Sequence, residues 1–122
     1  MSGADEIGGP SGGFRVTATP AELRVEAWGY WPGDVIAAFC RRAALATHAL
    51  GPMTAFVFDG NDLKPQCPEA QESFRALFRA LAASSFFSAR VISKNALTRM
   101  QLARLVRECG LFGRVSFDEG KT

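Results

Sequence analysis

Residues 58–74, FDGNDLKPQCPEAQESF, bring together side chains that could bind a metal ion or act as acids and nucleophiles. Asp59, Asn61 and Asp62 offer oxygen ligands, but an EF-hand loop needs further oxygens and a glutamate at a fixed spacing, and a lysine and a proline interrupt the pattern. The DGND sequence is more typical of an Asx-type turn, whose side chains accept hydrogen bonds from nearby amides. We therefore predict no metal site in this stretch.

Cys67 is a candidate nucleophile, because it precedes a predicted helix N-terminus, where a thiol can become reactive. The alternative is a small residue packed in the loop. His48, the only histidine, has no Cys, Ser or Asp partner at triad-like positions. Carboxylates that act as a catalytic pair need a pocket that raises the pKa of one of them, and the sequence indicates no such pocket. We predict that the chain has no catalytic residues and is not an enzyme.

The cysteines and glycines also lack the spacing of cofactor motifs. Cys40, Cys67 and Cys109 form no CxxC motif and no Cys/His pair, and neither GxGxxG nor a Walker loop is present. We expect no metal and no cofactor. Three separate cysteines, an odd number, also favour a reducing, cytoplasmic setting.

The composition predicts one domain. The chain has 122 residues, of which 48% are apolar and 21% charged, which is enough apolar material for a single core. Residues 1–13 are rich in glycine and carry acids where a signal peptide carries bases, so we expect a disordered N-terminal tail there and no export. No run of 18 apolar residues predicts a transmembrane segment. We assign residues 14–118 to the domain and residues 119–122 to a C-terminal tail.

Alternating hydrophobicity predicts the order of the elements. FRVTAT and LRVEAW indicate an N-terminal antiparallel hairpin, and parallel βα units follow, with three main helices that begin near Asp34, Pro68 and Leu97. The strand TAFVFDG is apolar throughout and is expected to be covered on both faces. The prediction is an α/β fold with a single four- to five-stranded mixed sheet, in the order β-β-α-β-α-β-α-β.

Two local patterns accompany this order. One is formed by Gly29, Trp31, Gly33 and Asp34 at the entry to the first helix, and the other is an apolar strand that ends in Asp59 before a loop and helix. Together with the order of the elements, they resemble the STAS domain, the sulfate transporter and anti-sigma factor antagonist family, over Phe14 to Phe117. Antagonists of that family carry a phosphorylated Ser or Thr where Cys67 and Pro68 stand here. The resemblance therefore implies a non-enzymatic module that binds another protein through this loop and the second helix, without the usual serine switch.

Partners of open α/β sheets meet the loops beyond the carboxyl ends of the strands. We predict partner-binding residues in these loops: Asp59, Asn61, Asp62, Lys64, Gln66, Cys67, Glu69, Lys94 and Asn95. Aromatic residues after the second strand and arginines of the second helix are secondary interface candidates: Trp28, Tyr30, Trp31, Arg75 and Arg79. For the three aromatic residues, packing in the core or in a lid over it is the alternative. The number of aromatic residues near loops also suggests a partner surface or a homodimer.

The resemblance implies, as our leading expectation, a STAS-like protein-protein interaction module in a bacterial regulatory or signalling system, or in an assembly system. The alternative is a small-molecule or lipid carrier with an apolar pocket under the aromatic loops. Residues 73–117 carry eight basic side chains and one acidic one, and Arg99, Arg104 and Arg107 lie on the third helix. A solvated arginine face, an anionic membrane or an acidic protein would each suit that helix, and there is no strong nucleic-acid signal.

Overall fold

The structure, a computed structural model, describes residues 3–120 of the chain and the side chains of residues 6–120. It is an α/β fold in which one mixed sheet of six strands carries three α-helices. The strands are β1 (Gly3–Gly9), β2 (Gly12–Ala18), β3 (Glu22–Gly29), β4 (Ala55–Leu63), β5 (Ser88–Ile92) and β6 (Ser116–Asp118). The helices are α1 (Gly33–Ala46), followed by a 3-10 turn at Thr47–Ala49, α2 (Pro68–Ala82) and α3 (Ala96–Glu108).

The strands lie in the sheet in the order in which they occur along the chain. β1, β2 and β3 pair antiparallel, and β3, β4, β5 and β6 pair parallel. Each of the three parallel connections leads to the next strand on the same side of the previous one. Because such connections are right-handed, all three helices lie on one face of the sheet. The predicted hairpin and the parallel βα units are confirmed, and the sheet has one strand more than the upper predicted number.

The extra strand corrects the prediction of a disordered tail over residues 1–13. Residues 3–9 form β1 and residue 12 begins β2, while residues 1 and 2 lie outside the described part of the chain. Glycine makes this hairpin possible, because a Cβ at Gly13 would lie 2.4 Å from the Ile7 carbonyl oxygen and 2.9 Å from the Trp28 ring. Ladder hydrogen bonds and an ion pair between Glu6 and Arg15 hold the strand, whereas the prediction considered only apolar burial. Of the predicted tail at 119–122, residues 121 and 122 also lie outside the described part.

The core lies between the sheet and the helices. Alternate residues of β3, such as Leu23 and Val25, are buried on the helix side, while Arg24 and Glu26 point to the other face. That outer face is polar, which corrects the expectation that both faces of β4 are covered. Val57, which is flanked in register by two arginines, is only 6% exposed, but no helix of residues 3–120 packs above it.

Aromatic rings fill the centre of the core. The Phe74 ring of α2 lies 5.0 Å from that of Trp31, 5.6 Å from that of Phe39 and 5.5 Å from that of Phe58, measured between centroids. Most of these pairs meet edge to face, the arrangement that the ring quadrupole favours. Phe74 therefore joins α2 to α1, to the sheet and to the loop after β3.

Removing this ring tests the packing. We expect Phe74→Ala to lower the free energy of unfolding by about 3–5 kcal/mol, because it leaves a cavity among buried rings. Phe87→Ala is the matched control, since Phe87 is 70% exposed, and its effect should stay within about 0.5 kcal/mol. Urea unfolding followed by circular dichroism measures both. Equal effects of the two substitutions would contradict the packing described here.

Candidate functional site

Three loops meet at the carboxyl edge of the parallel strands. They follow β3 at Gly29, β4 at Leu63 and β5 at Ile92, and each leads into a helix. Gly29 has φ +73°, and a Cβ at that position would lie 2.1 Å from the Ser11 carbonyl oxygen, so only glycine fits where the chain leaves the sheet. These three loops hold seven of the fourteen predicted site residues, and we call the loops, together with the adjoining end of β4 at residues 61–63, the edge.

Trp31 anchors the first loop to the core. Its indole Nε1 donates to the carbonyl oxygens of Gly13 at 3.0 Å and Trp28 at 3.2 Å, and its ring lies 4.9 Å from that of Phe39. The side chain is 1% exposed. Trp31 was predicted as a secondary interface residue, and this burial corrects the prediction. The tryptophan fixes the loop and offers little surface to a partner.

Gln66 plays the same part in the second loop. Its Nε2 donates to the carbonyl oxygens of Gly29 at 2.8 Å and Lys64 at 2.7 Å, and its Oε1 accepts from the Trp31 amide at 3.2 Å. The backbone of Gln66 also bonds to the Gln101 side chain of α3: its N–H donates to Gln101 Oε1, and its carbonyl oxygen accepts from Gln101 Nε2. Gln66 is buried, so it connects the edge loops to one another and is not available as the predicted contact residue.

A first depression at the edge contains five of the predicted partner-binding residues. It has a volume of about 390 Å³, and its lining is Asn61, Asp62, Leu63, Lys64, Lys94 and Asn95. Asp62, Lys64 and Lys94 are exposed and carry charges of both signs. The Asn95 Oδ1 accepts from the Thr98 amide at 3.0 Å and thereby caps α3. The structure therefore brings the second and third loops together as predicted.

A second, more apolar depression lies between the N-termini of α1 and α2. Its volume is about 550 Å³, and its lining is Tyr30, Trp31, Pro32, Gly33, Ile36, Ala37, Cys67 and Glu69. Cys67 is the residue that precedes α2, and its side chain is half-buried. A hydrogen bond between the Tyr30 hydroxyl and Cys67 raises the pKa of Tyr30, and electrostatic repulsion from Cys67, burial and Glu69 act in the same direction. Sequence reasoning missed the α1 part of this lining.

Asp59 does not belong to the edge. β4 continues past it to Leu63, and its carboxylate lies on the outer face of the sheet, where it accepts from Arg24 at 2.6 Å and from the Asn61 amide at 3.1 Å. The second of these bonds confirms the predicted Asx-type contact. A depression of about 410 Å³ lies beside this ion pair. No group of three or more His, Cys, Asp or Glu side chains within the described residues could hold a metal ion.

The remaining secondary candidates lie on separate surfaces. Trp28 is on the outer face, and its Nε1 donates to the Gly9 carbonyl oxygen at 2.8 Å. The Arg75 side chain is only 18% exposed, because it forms ion pairs with Glu72 and Glu108. Arg79 is exposed on α2. These residues do not form one interface with Tyr30.

Two exposed apolar residues of α3, Leu97 and Met100, were missed as candidate contact residues. The signal is present in the sequence. The buried stripe of α3 runs through Thr98, Leu102 and Leu105, at i, i+4 and i+7, and the two missed residues fall outside it.

Comparisons with known proteins identify no relative: no family model, no curated protein and no solved structure matches the chain. Within residues 3–120, no helix combines the length and the apolar character that a membrane span requires.

The contact between Tyr30 and Cys67 can be tested directly, because Tyr30 is the only tyrosine. Its ultraviolet titration should give a pKa above the ordinary value for tyrosine, and Cys67→Ala should lower that pKa by removing its largest cause. Glu69→Gln is the control, since Glu69 is the smallest cause and its removal should change the pKa less. Circular dichroism at each pH verifies that the protein stays folded. An unchanged pKa in Cys67→Ala would contradict the contact.

Proposed function

We propose that the chain is a STAS-like protein-protein interaction module without catalytic activity, which works in the cytoplasm of a bacterium in a regulatory or assembly system. The observation that carries the proposal is the edge itself. Two buried side chains, Trp31 and Gln66, hold two of its loops against the core, while Tyr30, Asp62 and Lys64 stay exposed beside them.

A surface built in this way favours binding to another folded protein. Association costs less conformational entropy when the contacting loops are ordered before the partner arrives. The edge combines an exposed aromatic ring, charges of both signs and two concave regions. Aromatic anchors within a polar rim are typical of protein interfaces.

The ionisable groups support a binding role better than a catalytic one. Cys67 contacts Tyr30, and no histidine is near it, because His48 lies after the end of α1, at the opposite edge of the sheet. The N-terminus of α2 can activate this thiol, but a catalytic pair also needs a general base, and the only histidine lies at the other end of the sheet. The proposal therefore contains no bond-making step.

The proposed module also lacks a serine switch. Cys67 and Pro68 occupy the start of α2. The nearest hydroxyl along that helix, Ser73, is buried, and its Oγ donates to the Ala70 carbonyl oxygen. A kinase needs an accessible hydroxyl, so this position supports regulation by means other than phosphorylation of α2.

A pull-down from native lysate tests the proposal. The immobilised chain should capture a stoichiometric protein partner, and Asp62→Ala/Lys64→Ala should reduce the affinity at least tenfold, about 1.4 kcal/mol, by removing two edge contacts. Arg41→Ala/Glu22→Ala is the matched control, because it also removes one base and one acid, and Glu22 begins β3 at the opposite edge of the sheet. Isothermal titration with the identified partner measures the affinities. Equal affinities of the two double variants would show that the edge is not the docking surface.

The second candidate, a small-molecule or lipid carrier, has support in the apolar depression beside Tyr30. Aromatic rings occupy the space between sheet and helices, so a carried ligand would have to bind in this surface depression. Native mass spectrometry of freshly purified protein separates the two candidates. A retained small molecule that Ile36→Ala releases would favour the carrier, and a bare chain favours the interaction module.

A further inference from the structure

Helix α3 exposes apolar side chains at both ends. Leu97 is 54% exposed and Met100 68%, and Phe112, just after the helix, is 73% exposed. The opposite side of α3 packs against the core. Single exposed apolar side chains are common on proteins, but Leu97 and Met100 lie about one turn apart and line the same depression, while Phe112 lies beside Arg107. We call these apolar side chains and the basic side chains around them the α3 face.

The basic side chains of the α3 face are Lys64, Lys94, Arg99, Arg104 and Arg107. None of them forms an ion pair within the described residues. Arg99 donates to the Ser93 carbonyl oxygen at 2.9 Å, Arg104 to the neutral Gln71 side chain, and Arg107 lies 5.3 Å from the centre of the Phe112 ring.

Three arginines elsewhere in the chain have carboxylate partners. Arg15 and Arg24 pair with acids of the sheet, and Arg75 pairs with Glu72 and Glu108. Most of these paired acids lie on the outer face of the sheet, whereas the cations of the α3 face form no ion pair within residues 6–120. A partner with carboxylates would complement this face.

The shape of the α3 face favours a narrow partner. Between α2 and α3 lies a depression of about 250 Å³, lined by Gln71, Leu97, Met100, Gln101 and Arg104. Its lining combines two apolar side chains, two side-chain amides and one guanidinium group. An amphipathic helix that lies in such a groove inserts its apolar side chains and directs its polar ones to the rim.

We propose that the α3 face docks an acidic amphipathic helix of the partner protein, with an apolar side chain of that helix between Leu97 and Met100 and its carboxylates against Arg104 and the neighbouring cations. The proposal rests on the proposed function and names the chemistry of the partner. The α3 face adjoins the first depression of the edge, since Lys94 and Asn95 directly precede α3.

Anionic membranes and nucleic acids fit this surface less well. Exposed Asp62 shares a depression with Lys94, and exposed Glu69 lies in the first turn of α2, two residues before Gln71. A broad polyanionic surface would meet these carboxylates as well as the cations, whereas one helix can avoid them. The formal net charge of the chain is only +2, which gives little long-range attraction to a polyanion.

Site-specific photo-crosslinking of the full chain, in the cells that naturally produce it, tests the inference. The photo-reactive residue p-benzoylphenylalanine replaces Met100 on the α3 face, Asp62 at the edge or, as control, the exposed Leu45 of α1. We expect Met100 and Asp62 to crosslink to the same protein and Leu45 not to do so. Mass spectrometry should place the Met100 crosslink in a segment with negative net charge and apolar residues at helical spacing.

The result distinguishes the two proposals. A protein crosslink from Asp62 but none from Met100 would overturn the inference and leave the interaction module standing. No protein crosslink from either position would contradict both. A Met100 crosslink to lipid, to nucleic acid or to a segment without negative charge would also overturn the inference.

Charge reversal adds a quantitative check with the crosslinked segment as a synthetic peptide. Arg104→Glu should weaken the binding of this peptide at least tenfold, because it places a carboxylate against an acidic helix. Arg41→Glu changes the net charge equally, but its site lies on α1, so it should leave the affinity within twofold. Equal losses in both variants would show that only net charge matters and would overturn the inference.

Discussion

The insertion of Trp31 between the sheet and helices α1 and α2 is the contact on which the rest of the structure depends. Its indole nitrogen bonds to Gly13 in the N-terminal hairpin, and its backbone amide bonds to Gln66 in the loop before α2. Gln66 in turn bonds to Gln101 on α3. One buried side chain therefore connects the hairpin, the core and the edge. The loops at the edge keep a fixed geometry because their anchors are packed and satisfied, and neighbouring side chains stay free for contacts.

All three helices lie on one face of the sheet, and this arrangement determines which surfaces carry the charged side chains. No helix of residues 3–120 covers the outer face of the sheet, so arginines and carboxylates of neighbouring strands pair across it, as Arg24 and Asp59 do. These pairs are exposed or half-exposed and add little stability, and they involve four acidic side chains: Glu6, Glu22, Glu26 and Asp59. Within residues 6–120 the arginines of α3 contact carbonyl, amide or aromatic groups and no carboxylate. The same architecture that builds a simple core thus produces a polar outer face and a basic helix next to the edge.

Local patterns were sufficient for most of the fold. The apolar stripe through Phe74, Leu77 and Leu81 predicts helix α2 without knowledge of what the helix packs against. The alternation of apolar and polar residues in LRVEAW predicts strand β3 in the same way. The missing information was tertiary. β1 forms because Gly13 allows a close approach of strands, which no local pattern contains. Gln66 is of a residue type that is mostly exposed, and an aromatic residue such as Trp31 suits both a core and an interface, so only the meeting of distant loops determines that both are buried. The sequence prediction ended β4 at Asp59, where its apolar run stops. The strand in fact continues through polar residues to Leu63, so Asp59 lies within β4 and not in the loop.

The central claim is that the edge loops are fixed before a partner binds and then form the contact. Hydrogen exchange of the free protein and of its captured complex measures both parts of this claim. In the free protein, the amides of Tyr30, Trp31, Lys64 and Gln66 should exchange slowly, because each donates a hydrogen bond to another segment of the chain. In the complex, protection should rise over residues 61–65 and 93–101 and stay unchanged over residues 14–18 on the hairpin. Fast exchange of the edge loops in the free protein, together with new protection confined to the sheet strands, would contradict the account.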